Sequence, residues 1–332
     1  MIRSGEEPAV IADAAARLRA GEAVAFPTET VYGLGANALD PQAVARVFAI
    51  KDRPRFDPLI VHIAAATELA SLVTDASAAD PRVAALVERF WPGPLTLVLA
   101  KRPIVPGIVT SGLETVGVRM PDHPVALELI RAAGVPIAAP SANRFGGISP
   151  TRAAHVERQL GDRVGLIVDG GPCRVGVEST VLLVDEGSPV LLRPGGVGLE
   201  AIEAVIGPVT VPHHDEAKAL SPGRSASHYA PTARVVLASP DATPSSNGRR
   251  LGLLAATEEG RRAAERIGGP FAAVALLSRE GDPVEMAARL FDALHELDAT
   301  GVTEIVAQPV PEVGLGRAVM DRLRRAAAAS GR

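Results

Sequence analysis

The 332-residue sequence holds one cysteine, Cys173, so it has no disulfide framework and no thiolate metal cluster. A reducing cytoplasm is the expected setting. Aromatic residues make up only 3%, which argues against a base-stacking platform for single-stranded nucleic acid. The formal net charge of −4 gives no global pull toward nucleic acid or anionic membrane, so any RNA contact needs a local basic patch. No apolar run reaches membrane-spanning length, and the opening "MIRSGEEPAV" lacks the apolar core of a signal peptide. Also missing are the G-x-x-x-x-G-K-[ST] phosphate loop, H-E-x-x-H, paired-cysteine zinc spacing and a G-x-S-x-G elbow. "GLGANA" and "GLGRAV" each lack the last glycine of a dinucleotide fingerprint.

What the chain does have is apolar bulk. It is 47% hydrophobic, enough for a large core and, at this length, for two domains. Residues 207–232 carry four prolines and little apolar period, and read as a linker between a domain over 1–206 and another over 233–332. "SPDATPSSNGRR" (239–250) reads as a loop inside the second domain.

In the first domain "PAVIADAAARLRAG" predicts a helix closed by Gly21, and "DPQAVARVFAIK" one capped by Asp40 with Pro41 at its first position. "EAVAF", "LIVHIA", "PLTLVLAK", "VGVRMP", "PIAAPSAN" and "GLIVDGG" predict strands, and "STVLLVDEGSPVLLRPG" a hairpin. Together they suggest a mixed, twisted α/β sheet. In the second domain "RVVLA", "LGLLA", "FAAVALLS" and "EIVAQPV" alternate with helical sequence. The helix "PVEMAARLFDALHELDAT" has Asp282 as cap and Glu285 as its N3 acid, so a small Rossmann-like α/β domain is expected.

Polar residues gather where strands end, which is where open α/β sheets bind ligands. After "AVAF", Pro27 takes the chain out of the ladder. In an extended chain Thr28 and Thr30 would share one side and Glu29 the other, with Tyr32 as a cap over a small polar ligand. Local side-chain-to-backbone bonds would explain the same residues. Lys51, Arg53 and Arg55, spaced by two, would point one way in an extended loop and suit a polyphosphate; a solvated basic loop is the alternative. His62 within "LIVHI" reads as a core residue. Arg119 ends an apolar strand that follows Thr115 and needs a partner, either a ligand carboxylate or a structural acid. In "AAPSANRFGGISPT" small residues and glycines around Ser141, Asn143 and Ser149 could cradle phosphate, or form a turn before a helix cap. Ser179 and Thr180 open a strand, Arg193 closes its partner, and Tyr229, after His228 in the linker, needs a surface to pack on and could act as a lid. His213 and His214 read as a solvated pair.

In this order, "FPTETVYGLGANA", "KDRPRFDPLIVHI", "FWPGPLTLVL", "VGVRMPDHP", "PSANRFGGISPT" and "LLRPGG" resemble the threonylcarbamoyl-AMP synthase family with its YrdC-like fold. "SPGRSASHYAP" and "GLGRAVMDRLRRAA" are similar to its longer, two-domain form. The resemblance implies a nucleotidyltransferase that converts L-threonine, bicarbonate and ATP, with Mg2+, to L-threonylcarbamoyl-AMP and pyrophosphate. The product would pass to a tRNA threonylcarbamoyl transferase, with at most weak direct tRNA contact and no membrane. The resemblance assigns Thr30, His62, Arg119, Ala139 and Ser179 to threonine. It assigns Arg53, Asp57, Thr115, Ser141, Ser149, Arg193 and Tyr229 to ATP, with Lys51 and Arg53 as the charge-stabilising pair. Two positions depart from the family: Asp57 stands where Asn is usual, and "RSAS", Arg224 to Ser227, replaces a Lys-Tyr-Arg run. A carbamoyl-phosphate-using relative of the same fold and an RNA-binding module are the competing readings.

Overall fold

A computed structural model describes residues 1–54, 57–212, 229–238, 248–268 and 271–329. The chain divides into two compact units. The first comprises Met1–Phe145, Pro150–Arg174 and Glu178–Arg224; the second comprises Gly146–Ser149, Val175–Val177 and Ser225–Arg332. Two short segments that precede the linker in sequence thus belong with the C-terminal unit.

The first unit is built on ten strands: β1 (Ile2–Ser4), β2 (Val24–Phe26), β3 (Gly33–Asn37), β4 (Ile60–His62), β5 (Leu95–Ala100), β6 (Thr115–Arg119), β7 (Ile137–Ala138), β8 (Ile167–Asp169), β9 (Thr180–Leu183) and β10 (Val190–Arg193). They form one sheet in the order β1-β8-β2-β3-β7-β4-β6-β5-β9-β10. The sheet is mixed: β4 runs parallel to β6, whereas β5 runs antiparallel to it. Alternate residues face opposite layers, so Val24 and Phe26 join the cluster around Val10, Leu18 and Leu129, while Ala25 joins the one around Val47, Phe48 and Leu97. Apolar residues on both sheet faces are covered, which is why these strands read as continuous apolar runs.

Local chemistry sets the helix bounds. Asp40 caps Pro41–Lys51 by accepting the Gln42 N–H at 2.8 Å, and the helix ends at Asp52, which turns to a left-handed φ of 54°. Pro8–Arg19 ends before Gly21, whose φ is 80°. The helix after the Ser141–Ser149 segment spans Ala153–Leu160, with Arg152 at the cap position and no side-chain cap bond from it. β3 is a strand not among those expected from sequence. A Cβ at Gly35 would lie 2.7 Å from the Phe26 ring and 2.8 Å from Ile137 Cγ2, so neighbouring strands close up only over a glycine. β1 and the helices Pro81–Phe90 and Pro124–Ala133 add to the elements expected from sequence.

The second unit holds β11 (Arg234–Leu237), β12 (Leu251–Ala255), β13 (Ala273–Leu276) and β14 (Glu304–Ala307) in the all-parallel order β11-β14-β12-β13. Helices Glu258–Gly268, Pro283–Ala299 and Gly316–Ala329 alternate with them, as a Rossmann-like winding requires. Asp282 caps the second of these through the N–H groups of Val284 and Glu285. Glu285 does not reach back as a capping-box acid. Its carboxylate takes the Ser278 hydroxyl at 2.6 Å, and Ser278 Oγ accepts the Asp282 N–H at 3.1 Å. Among the described residues no helix is long and apolar enough to cross a membrane.

Candidate active site

The chain leaves β2 at Pro27 and bends through residues 29–31. This bend orders a directional chain of hydroxyls. Arg119 Nη1 donates to Thr30 Oγ1 at 2.9 Å, the two threonine hydroxyls lie 2.9 Å apart, and Thr28 Oγ1 donates to the Val31 carbonyl at 2.6 Å. Thr28 and Thr30 therefore do share a side, but Glu29 is not turned away from Arg119. Because the backbone bends rather than extends, Glu29 Oε1 also reaches Arg119, 2.6 Å from Nη2. The structural acid left open by the sequence is thus Glu29. It is 0% exposed, and neither carboxylate oxygen has a hydrogen bond among the described residues. The third guanidinium contact runs from Nε to the Gly93 carbonyl at 3.2 Å.

Tyr32 is no ligand cap. Its buried hydroxyl lies 3.0 Å from Asp169 Oδ1 and 2.8 Å from the Gly171 carbonyl, and burial followed by the Asp169 charge pushes its pKa up. His62 lies opposite Arg119 in the β4–β6 register, with its ring edge-on to Phe26. Burial first, and the Arg119 charge second, push its pKa down to about 3, so the imidazole is neutral. Its Nδ1 is buried without a hydrogen-bond partner among the described residues. Beside it, the Ala139 N–H donates to the Ile60 carbonyl at 3.0 Å.

The basic segment departs from the extended row expected of it. Lys51 is the last residue of its helix and only 1% exposed; its ammonium donates to the carbonyls of Ser141 and Asn143, the latter at 2.5 Å. Burial, then the neighbouring Arg53 charge, holds its pKa well below the usual lysine value. The left-handed turn at Asp52 breaks the extended spacing on which a common face depends. Arg53 is also buried: it donates to the carbonyls of Asp57 at 3.3 Å and Pro58 at 3.1 Å and pairs with the Asp57 carboxylate at 2.8 Å. Arg55 lies outside the described residues.

At the far side of the sheet, the Ser179 hydroxyl lies 2.8 Å from Thr96 Oγ1, and Arg193 Nη2 donates to the Ser179 carbonyl at 2.9 Å. Gly195 packs directly on this backbone; a Cβ there would sit 2.3 Å from Ser179 C and Thr180 N. Thr115 starts β6 and, with Thr96 and Gly117, lines a small pocket beside Pro58.

Within the first unit the fold therefore joins Thr30, His62 and Arg119; Lys51 and Ser141; Arg53 and Asp57; and Ser179 and Arg193. Ser149 and Tyr229 belong to the second unit. There the Ser149 carbonyl lies 3.2 Å from His295 Nε2. Tyr229, at φ 65°, sets its ring 5.4 Å from that of Phe291, with the Arg322 guanidinium 5.3 Å from its centroid. The surface that this aromatic packs on is thus made by helices Pro283–Ala299 and Gly316–Ala329. His213, His214, Arg224, Ser227 and His228 lie outside the described residues. Sequence reasoning missed Thr96 and the place of Glu29. Thr96 is the one polar side chain inside "LTLVLA", and Glu29 is the one charged residue, between two threonines. Among the described residues no three His, Cys, Asp or Glu side chains converge on a metal-sized point.

Comparison with known proteins places nearly the whole chain beside one group of relatives. Residues 16–195 match the Sua5/YciO/YrdC family, described as Telomere recombination, and residues 197–328 match Threonylcarbamoyl-AMP synthase, C-terminal domain. The threonylcarbamoyl-AMP synthase of Bacillus subtilis (strain 168) is 47% identical over 331 residues, covering 96% of this chain and 92% of that protein. That of Pyrococcus abyssi is 48% identical, covering 94% and 92%. A crystal structure of P. abyssi Sua5 complexed with L-threonine superposes with a TM-score of 0.86 at 43% identity, covering 96% of this chain and 94% of that one.

Proposed function

The chain belongs to the threonylcarbamoyl-AMP synthase family in its two-domain form, and from this we propose that it condenses L-threonine, bicarbonate and ATP into L-threonylcarbamoyl-AMP, releasing pyrophosphate. The observation that carries the reading is the Glu29–Arg119–Thr30 cluster beside neutral His62, in a chain so similar to a Sua5 crystallised with L-threonine. A free amino acid at neutral pH is a zwitterion. A buried carboxylate next to a buried guanidinium offers it one counter-charge for each end, at no net change in buried charge. Arg119 takes the carboxylate, and Thr30 and Ser179 supply hydroxyls.

The reaction needs no protein nucleophile. Threonine's amine adds to bicarbonate to give a carbamate, whose oxygen displaces pyrophosphate at the α-phosphorus of ATP. The protein's contribution is alignment, charge compensation and exclusion of water. Arg53 and Arg193 are our candidates for the phosphates, together with Thr115 at the start of β6 and Ser141 in the loop held by Lys51. Lys51, whose ammonium already holds two carbonyls, acts by fixing the Ser141–Asn143 loop. Asp57, paired to Arg53, adds no uncompensated negative charge against the nucleotide. Among the described residues no side chains build a cage for magnesium, which in this reading arrives as the counter-ion of ATP. For Ser149 and Tyr229 the ATP role rests on the resemblance alone. The product serves tRNA threonylcarbamoyladenosine formation through a separate transferase.

Pyrophosphate release tests this reading. It should need threonine, bicarbonate, ATP and Mg2+ together, with mass spectrometry identifying the adenylate. Serine should be poorer by about 10–200-fold, the worth of one methyl in an apolar pocket. Release that proceeds without threonine rejects the function.

A further inference from the structure

We propose that Glu29 is the base that takes the proton from threonine's ammonium group before carbamate formation. The proposal rests on the function above and on three observations. Glu29 is wholly buried, so its carboxylate has no solvent to satisfy it. Its Oε1 is ion-paired to Arg119, but Oε2 has no hydrogen bond among the described residues, and a buried carboxylate oxygen left in that state points to a missing donor. Finally, it shares Arg119 with Thr30, which puts it in the cluster proposed to hold the amino acid.

The chemistry requires such a group. An ammonium nitrogen has no lone pair to attack bicarbonate. Glu29 carboxylate accepts one N–H proton and becomes a neutral carboxyl. The freed amine forms an N–C bond to bicarbonate carbon, and that carbon loses its hydroxyl as water, which carries off a second nitrogen proton. Carbamate and water result, with the net proton on Glu29. Charge stays balanced throughout. As the substrate gains a negative charge, Glu29 loses one, and the Arg119 guanidinium it had compensated faces the new anion.

The surroundings suit this role. Arg119 is the cation at Glu29, with His62 opposite it on β4. Cys173 and His123 are the other titratable groups coupled to it; Asp122 and Arg174 lie near His123, and Arg152 near Cys173. Burial first, then the Glu29 charge, push the Cys173 thiol up, and burial pushes the His123 imidazole down, so both are neutral near pH 7.

The test is Glu29→Gln, which keeps shape and removes basicity. We expect kcat for threonine-dependent pyrophosphate release to fall about 10²–10⁴-fold at pH 7.5. The remaining rate should climb about tenfold per pH unit between pH 7 and 9, as solvent takes over the proton, where the wild type levels off. Glu29→Asp should restore the level profile at reduced rate. A Gln variant with the wild-type pH profile, or an Asp variant as steep as Gln, overturns the proposal. Should Glu29→Gln fail to fold, infrared difference spectra of the wild type decide: bicarbonate added to threonine-loaded protein must produce a protonated-carboxyl band, and its absence overturns the proposal. Wild-type release that ignores threonine defeats the function and the proposal together. Wild-type release that requires threonine, with Glu29→Gln unaffected, defeats only the role of Glu29.

Discussion

Both units bury arginines, by different means. In the second, Arg322 and Arg325 find Asp321 on their own helix, at 2.6 and 3.0 Å. In the first, Arg119 at the end of β6 meets Glu29 from a distant stretch of chain, and Arg193 holds the Ser179 carbonyl across a hairpin. A pair made within one helical turn is assembled as soon as the helix forms. A pair made across the fold exists only when several strand ends converge, and it holds both ions where a bound molecule can use them. In this comparison the pairs made within one helix mark architecture, and the contacts made across the sheet mark a site.

The contrast can be broken experimentally. Arg119→Ala leaves Glu29 buried with no counter-charge and should cost about 3–5 kcal/mol in urea unfolding, along with a steep rise in threonine KM. Adding Glu29→Gln should recover much of the stability and none of the threonine use. A loss below about 1 kcal/mol for Arg119→Ala would erase the distinction.

Gly195→Ala is next. Its Cβ would meet the Ser179–Thr180 backbone, so β9 must shift at a cost of about 3 kcal/mol. Gly176 in the second unit is equally tight, against the Ala287 carbonyl at 2.5 Å. Gly176→Ala should destabilise comparably, but only Gly195→Ala should raise threonine KM. Equal effects on KM would show that the comparison between units has no functional content.

The smallest effect is on acid stability. His62 is held neutral, with its pKa near 3 rather than the unfolded value of about 6.5. The unfolded chain therefore binds the extra proton between those values. Stability is full above about pH 6.5 and falls as pH drops toward 3, by up to roughly 1.4 kcal/mol per unit. By pH 5 that is at most about 2 kcal/mol. Urea titrations of ligand-free wild type and His62→Gln at pH 7 and 5 should show the wild type losing more. Parallel losses would mean that His62 is charged in the fold.

Much of this was legible in the sequence, because much of it is local. Asp40 with Pro41, Asp282 with Pro283, and the turn between β9 and β10 announce their elements within a few residues, and the joint order of motifs identifies the family. What the sequence hid is non-local. β3 was not among the expected strands because the reason for Gly35 lies in Phe26 and Ile137, on neighbouring strands. Lys51 read as an exposed phosphate ligand because its partners, the carbonyls of Ser141 and Asn143, are far along the chain. Arg119 stood between two kinds of partner until the bend after Pro27 delivered Glu29. Pattern gives the elements, and only their convergence tells which charges are already matched.

The lone cysteine of the chain follows from the same convergence. Cys173 is buried next to the Thr28–Glu29 bend, and its N–H is tied to the Thr151 carbonyl at 3.0 Å. A thiol that is both hidden and held protonated cannot react with a maleimide dye until the first unit opens around it. Because no second sulfhydryl competes, the labelling rate becomes a clock for that opening, and any small molecule that settles beside Glu29 should slow it without a single turnover.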